Sequence, residues 1–110
     1  MHLLLAEKGS LAQTAEAVDL GQSPGEIVVL SAADTELAAL SSAARRMQLA
    51  PGRLRLANLM RLTHPMSVDT YVERTLSHAR LVVVRLLGGI GYWPYGVDAL
   101  RAAAQRLSLI

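Results

Sequence analysis

A short apolar run that opens into a glycine-rich, aromatic loop carries the residues best suited to binding chemistry. Residues 81–87 are mostly Leu or Val, which is typical of a strand covered on both faces. The following loop holds Gly88 and Gly89, then Tyr92 and Trp93, the only tryptophan. Because open α/β sheets bind ligands beyond the carboxyl ends of their strands, the sequence predicts a binding surface at this loop.

The loop residues have several possible roles. Gly88 and Gly89 could cradle a phosphate, supply backbone with positive φ, or contact a large planar ligand or a partner domain. The loop lacks both the third glycine of a dinucleotide site and the Lys-Ser/Thr pair of a P-loop. Tyr92, Trp93 and Tyr95 could stack on a ring-shaped ligand or fill the end of the sheet, since each combines an apolar body with a polar tip.

Three further residues stand next to predicted strand ends. Arg85 interrupts an apolar strand, so a buried guanidinium would need Asp34, Asp69, a backbone carbonyl or a ligand carboxylate as partner. Asp34 is also placed to cap a helix. His64 precedes Pro65 and a helix start, where it either bonds to the backbone or serves as an acid, a base or a metal contact.

No catalytic residue and no metal site is predicted. The chain has no Cys, its three His do not form a His-x-x-x-His motif, and its serines lack a nucleophile elbow. The net charge of +2 comes from arginines scattered along the chain, which argues against nucleic-acid binding. No signal peptide or membrane-length apolar run occurs, so we expect no membrane association and a cytoplasmic location.

The predicted fold is a small open parallel sheet of about four strands flanked by helices, a Rossmann-like or flavodoxin-like three-layer α/β class. One domain covers residues 1–110, because the chain is short and 52% hydrophobic. The predicted strands cover residues 3–6, 27–30, 54–59 and 81–87. The predicted helices cover residues 11–20, 34–47, 67–79 and 95–107, with Asp34 and Ser67 as N-caps.

The apolar periodicity also predicts which residues face the core. The inward positions are Leu37, Leu40, Ala44 and Met47, then Val68, Val72, Leu76 and Ala79, and finally Val97, Leu100, Ala104 and Leu107. Arg53 and Arg55 on one face of the third strand place it at a sheet edge. We expect a fragment that ends just before a fifth strand. An uncovered edge on the fourth strand would then allow self-association.

Four separated motifs resemble one family. They are DLGQSPG at 19–25, LSAADTEL at 30–37, HPMSVDTY at 64–71, and RLLGG followed by YW at 85–93. Together they resemble the amino-terminal segment of the CobN family, the large subunit of aerobic cobaltochelatase, which is similar to the porphyrin-binding H subunit of magnesium chelatase.

This resemblance implies that the full protein inserts cobalt, as a substrate, into hydrogenobyrinic acid a,c-diamide. It implies ATP with Mg²⁺ in separate AAA+-type subunits, no cofactor bound to this segment, and a chain that is one piece of a much longer subunit. The segment is then a scaffold or part of the tetrapyrrole-binding cleft. The alternative is a stand-alone flavodoxin-like module that binds a small ligand or a partner without catalysis.

The candidate substrate-binding residues are expected to converge at one end of the sheet, because each lies at or just beyond the end of a predicted parallel strand. They are Asp34, His64, Arg85, Gly88, Gly89, Tyr92 and Trp93.

Overall fold

A computed structural model describes residues 17–107 as a three-stranded parallel sheet with helices on both faces. This confirms the predicted α/β class, with three strands in this part of the chain. The strands are β1 (Ile27–Ser31), β2 (Leu54–Asn58) and β3 (Leu81–Arg85). The helices are α1 (Asp34–Arg46), α2 (Pro65–Arg74) and α3 (Pro94–Leu107), and short 3-10 helices cover Leu59–Arg61, Leu76–His78 and Ile90–Tyr92.

Two predictions concern the amino-terminal part of the chain. The strand expected at residues 3–6 lies outside the described residues. Of the helix expected at residues 11–20, only residues 17–20 are described, and they are not helical. Here the Val18 N–H donates to the Ser67 hydroxyl at 2.8 Å, so contact with α2 fixes this stretch.

The strand order is β2-β1-β3, which places β1 in the centre. Its residues Val28 and Leu30 are fully buried. The prediction that the run 81–87 is covered on both faces is wrong, because Leu81 and Val83, on one face of β3, are 43% and 37% exposed. Among residues 17–107, β3 is an edge strand, and it ends at Arg85. In the described part of the chain β2 lies at the other edge, as Arg53 and Arg55 predicted. Apolar character alone did not distinguish the central strand from an edge strand.

The two faces of the sheet are covered unequally. The face that carries Val28 and Leu30 packs against α2 and α3 and forms the main core. In α2 and the turn after it, all four predicted inward residues are buried. In α3, three predicted inward residues are partly buried, and the side chain of the fourth, Leu107, lies outside the described part. The confirmed positions are Val68, Val72, Leu76 and Ala79, with Val97, Leu100 and Ala104.

The opposite face is covered by α1, which packs against β1 and β2. No residue of α1 is buried. The predicted inward stripe of this helix is therefore wrong at Leu40 and Met47, which are exposed. The principal helix packing in residues 17–107 is between α2 and α3 on the other face, so α1 lies over its part of the sheet with its apolar side chains only partly covered.

Candidate functional site

The carboxyl ends of the three strands meet at one edge of the sheet. Ser31 pairs in register with Asn58 on one side and with Arg85 on the other. All three are polar side chains at the last position of a strand, and they point to the face that α1 covers because strand residues alternate. This edge is where the sequence predicted a site.

Glu36 in the first turn of α1 joins two of these strand ends. The Ser31 hydroxyl donates to Glu36 Oε1 at 2.6 Å, and Arg85 Nη2 lies 2.9 Å from Glu36 Oε2. Ser31 Oγ also accepts from the Ala33 N–H at 3.0 Å. The glutamate therefore holds a hydroxyl and a guanidinium through its two oxygens.

Arg85 differs from its predicted environment. Its side chain is 56% exposed and its partner is Glu36, not Asp34, Asp69 or a backbone carbonyl. The reason is the edge position of β3, which leaves the end of this strand open to solvent. At this exposure the ion pair contributes less than about 1 kcal/mol, so the pair positions the guanidinium more than it stabilises the fold.

Asp34 does not cap α1, because it is the first residue of the helix and Ala33 occupies the N-cap position. Its carboxylate instead accepts from Asn58 Nδ2 at 2.8 Å, and the same amide group lies 3.3 Å from the Ala32 carbonyl oxygen. Asn58 thereby connects the end of β2 to the start of α1. Asp34 and Asn58 thus form one pair, and Ser31, Glu36 and Arg85 form a second group. The two lie side by side because Ser31 and Asn58 pair in register, and together they are the polar cluster.

His64, rather than Ser67, caps α2. Its Nδ1 accepts from the Met66 N–H at 3.0 Å, so it is the backbone-bonded loop histidine that was one of the alternatives. Ser67 lies inside the helix, where it is buried and accepts from Val18. Pro65 at the first helical position explains this start, because its fixed φ suits that position.

The glycine loop has the backbone that glycine favours. Gly88 and Gly89 have φ of +103° and +87°. A Cβ on Gly88 would lie 3.7 Å from the ring of Tyr92, which is 65% exposed. The loop leads into the 3-10 helix and not directly into α3, so its N–H groups do not form the helix-start phosphate cradle of nucleotide sites.

Trp93 is part of the core. Its side chain is 5% exposed, and its indole Nε1 donates to the Leu62 carbonyl at 2.9 Å. A Cβ at Gly96 would overlap the indole ring, so the first turn of α3 is closed over it. This ring fills the end of the sheet, which was the structural alternative for the aromatic residues, and its face is not free to stack on a ligand in this arrangement.

Tyr95 begins a second polar contact away from the cluster. Its hydroxyl donates to both oxygens of Asp69, at 2.8 and 2.9 Å. This hydrogen bond raises the pKa of the Tyr95 phenol. The contact joins α2 to α3 and does not reach the strand ends.

Part of the site was therefore predictable from the sequence. The sequence pattern indicated Asp34 and Arg85 but not their partners, which are Asn58 for Asp34 and Glu36, with Ser31, for Arg85. Asn58 as the last residue of a strand was the available signal. Within residues 17–107, no group of three or more His, Cys, Asp or Glu is arranged to hold a metal ion. No helix in that range is long and apolar enough to cross a membrane.

Two proteins named aerobic cobaltochelatase subunit CobN match this sequence. The one from a Sinorhizobium species is 59% identical over 104 residues, which is 94% of this chain. The one from Pseudomonas aeruginosa is 46% identical over 110 residues, which is 100% of this chain. No family model and no solved structure matches the sequence.

The matched segment is a small part of both relatives, 8% of the length of the first and 9% of the second. Identity at this level over nearly every residue confirms the resemblance that the four motifs indicated. The match relates this chain to one segment of each relative and not to the whole protein. Over almost its entire length, the chain is similar to a short segment of CobN, a subunit of aerobic cobaltochelatase.

Proposed function

We propose that this chain is the amino-terminal α/β segment of a cobaltochelatase large subunit, and that the complete subunit inserts cobalt into hydrogenobyrinic acid a,c-diamide. The observation that carries this proposal is the match of the whole chain to CobN of Pseudomonas aeruginosa. Cobalt is the substrate metal. ATP hydrolysis with Mg²⁺ belongs to separate AAA+-type subunits, the complex is cytoplasmic, and the segment itself holds no cofactor.

Within this function we assign the segment a surface that contacts the tetrapyrrole. The glycine-loop surface consists of Arg85 and residues 87–92. Its apolar and aromatic side chains are exposed, with 53% for Leu87, 49% for Ile90 and 65% for Tyr92. A tetrapyrrole with carboxylate groups at its periphery suits an aromatic ring beside an accessible guanidinium.

The surface is tested by substituting Tyr92→Ala in the full-length large subunit and titrating it with hydrogenobyrinic acid a,c-diamide. We expect binding to weaken roughly 5-fold to 150-fold, which corresponds to the 1 to 3 kcal/mol of a base stacked on an aromatic ring. Tyr95→Ala is the matched control, because Tyr95 is also exposed but contacts Asp69 away from the strand ends. Equal affinities for the two variants would remove the surface from the substrate site.

The chelatase assignment has its own test. The full-length protein, incubated with its partner subunits, Co²⁺, ATP and hydrogenobyrinic acid a,c-diamide, should form the cobalt product, whereas the 110-residue chain in its place should form none. The chain covers less than a tenth of its relatives, which supports this difference. Turnover by the short chain would contradict its role as a scaffold or cleft segment.

The alternative of a stand-alone flavodoxin-like module draws support from the strand order. The order β2-β1-β3 agrees with the first three strands of the flavodoxin-like order 2-1-3-4-5. Such a module would bind a small ligand or a partner protein with no larger subunit. A coding sequence that continues far past Ile110 would decide against it.

A further inference from the structure

The guanidinium of Arg85 is fixed at one corner only. Its Nη2 lies 2.9 Å from Glu36 Oε2, and within residues 17–107 its Nε and Nη1 have no ion-pair or hydrogen-bond partner. A guanidinium carries five N–H donors in one plane, so most of this fork remains available. The Arg85 side chain is 56% exposed, which leaves the unused edge open to a ligand.

Glu36 is itself held from the other side by a buried hydroxyl. Ser31 is 1% exposed, and its Oγ accepts from the Ala33 N–H at 3.0 Å. A hydroxyl has a single proton, which Ser31 donates to Glu36 Oε1 at 2.6 Å. The register of β1 with β3 places Ser31 beside Arg85. The end of β1 therefore fixes the carboxylate, and the carboxylate fixes one corner of the guanidinium.

The exposed ring of Tyr92 belongs to the loop that follows this guanidinium. Gly88 lies three residues after Arg85 and has a positive φ. A Cβ at Gly88 would lie 3.7 Å from the Tyr92 ring, so the ring lies close to the backbone of the loop. The guanidinium and the aromatic ring thus stand at the start and the end of one short loop.

The unused edge of a fixed guanidinium distinguishes a carboxylate from an amide. A carboxylate offers two equivalent acceptor oxygens and a full negative charge, which match two parallel N–H groups. A carboxamide offers one acceptor oxygen, and its NH₂ group is a donor that would face another donor. This discrimination requires a fixed orientation, because a mobile guanidinium can turn and use a single N–H on the amide oxygen.

We propose that Arg85 determines specificity for a free carboxylate at the rim of the tetrapyrrole, and that Glu36 is the positioning residue that orients its guanidinium. This inference rests on the proposed function, and it adds which substituent of the substrate is recognised and which residues set that preference. Glu36 acts through Arg85, since one of its oxygens accepts from Ser31 and the other pairs with the guanidinium.

Binding titrations of the full-length subunit with two tetrapyrroles test the specificity. One ligand is hydrogenobyrinic acid a,c-diamide, and the other is the same ring with every side-chain carboxylate converted to an amide. Arg85→Ala should weaken binding of the first about 10-fold and binding of the second by less than about 2-fold. Arg85→Lys keeps the charge but not the fork, so it should still weaken binding of the first about 3-fold. Arg101→Ala, at an exposed position on α3, is the control for a lost positive charge and should change neither affinity.

The role of Glu36 is tested in combination with Arg85. Glu36→Ala should weaken binding of the carboxylate ligand about 5-fold, and it should cause no further loss when added to Arg85→Ala, because the two residues act as a unit. Glu36→Gln keeps an acceptor oxygen for the guanidinium, so its affinity should stay within about 2-fold of that of the unmodified subunit. Glu73→Ala, at an exposed position on α2, is the matched control and should have no effect.

Three results would overturn the proposal. Equal losses for the two tetrapyrroles in Arg85→Lys would remove the preference for a carboxylate. Tighter binding in Glu36→Ala would show that this carboxylate repels the substrate, and additive losses in the double variant would show that it does not act through Arg85. Each result can occur while Tyr92→Ala still weakens binding, so each leaves the proposed function standing. A full-length subunit that binds neither tetrapyrrole would overturn both.

Discussion

The two edges of the sheet differ in how the neighbouring residues cover them. At the β2 edge, the side chain of Gln22 donates to the Leu56 carbonyl at 2.8 Å, and Arg55 Nε donates to the Ser23 carbonyl at 2.9 Å. At the β3 edge, the described part of the chain offers apolar side chains and a groove. One edge is covered by polar contacts from a neighbouring segment, whereas the other is left suited to a further strand.

The covered edge depends on more than one contact with the same residue. The Tyr71 hydroxyl donates to Gln22 Oε1 at 2.6 Å, and the Thr75 hydroxyl donates to the Gln22 carbonyl at 2.8 Å. Gln22 therefore connects β2 to α2. A stretch without regular secondary structure can thus protect a sheet edge when its side chains satisfy the edge carbonyls.

The largest expected effect concerns the hydrogen bond that joins the β3 side of the sheet to the β2 side. Trp93 follows β3, but its indole N–H donates a hydrogen bond to the carbonyl of Leu62, which follows β2. Trp93→Ala should lower the free energy of unfolding of the chain by about 3 to 5 kcal/mol, since a buried indole leaves a large cavity. Urea unfolding measures this. Tyr92→Ala, at an exposed position, should change it by less than about 0.5 kcal/mol.

The next effect tests the covered edge itself. Gln22→Ala should lower the free energy of unfolding by about 1 to 3 kcal/mol, because the Tyr71 hydroxyl and the Leu56 carbonyl lose their partner. Gln105→Ala on the exposed surface of α3 is the control for loss of a glutamine side chain. Equal stability of the two variants would mean that water replaces Gln22 without cost.

A smaller effect appears at alkaline pH. Burial raises the pKa of the Tyr71 phenol, although the charge of Arg55 opposes this. A raised pKa in the folded state stabilises the fold below the ordinary phenol pKa of about 10, and this contribution is lost as pH rises above that value. Between pH 10 and 11 the unfolded chain releases this phenol proton while the folded chain keeps it, which lowers the free energy of unfolding by about 1 kcal/mol. Tyr71→Phe should show a correspondingly shallower decline in urea unfolding, and parallel declines would contradict this linkage.

The smallest effect on stability concerns the open edge. Val83→Lys should change the free energy of unfolding by less than about 0.5 kcal/mol, since Val83 is already 37% exposed. It should nevertheless abolish the self-association that we predict for the 110-residue chain. Leu40→Lys on α1 is equally exposed and should leave association intact. Sedimentation velocity measures the oligomeric state of each variant. An unmodified chain that stays monomeric would be evidence against self-association through the β3 edge.

Much of the fold was predictable from local patterns. The stripe from Val68 to Ala79 identified a buried helix face, and the parallel strands correctly placed Asp34 and Arg85 at one end of the sheet. The start of α2 was also available in principle, since Pro65 favours the first helical position. The preference for Ser67 as the cap overlooked this signal.

The remaining errors concern what lies next to an element in space. The run 81–87 is as apolar as a central strand, yet its neighbours leave it at an edge. Glu36 and Arg85 meet only because β1 and β3 pair in register, across 49 positions of sequence. Neither fact is encoded in residue type or periodicity, so sequence patterns found the strand ends but not the contacts between them.

The cap on α2 determines what His64 can offer a ligand. Accepting the Met66 N–H requires a lone pair on Nδ1, so the neutral ring carries its proton on Nε2. In that tautomer Nε2 is a hydrogen-bond donor, and it has no lone pair with which to take a proton or coordinate cobalt. A base or a metal ligand at this position would have to uncap the helix first, whereas a donor to a carboxylate or amide oxygen would leave the helix start undisturbed.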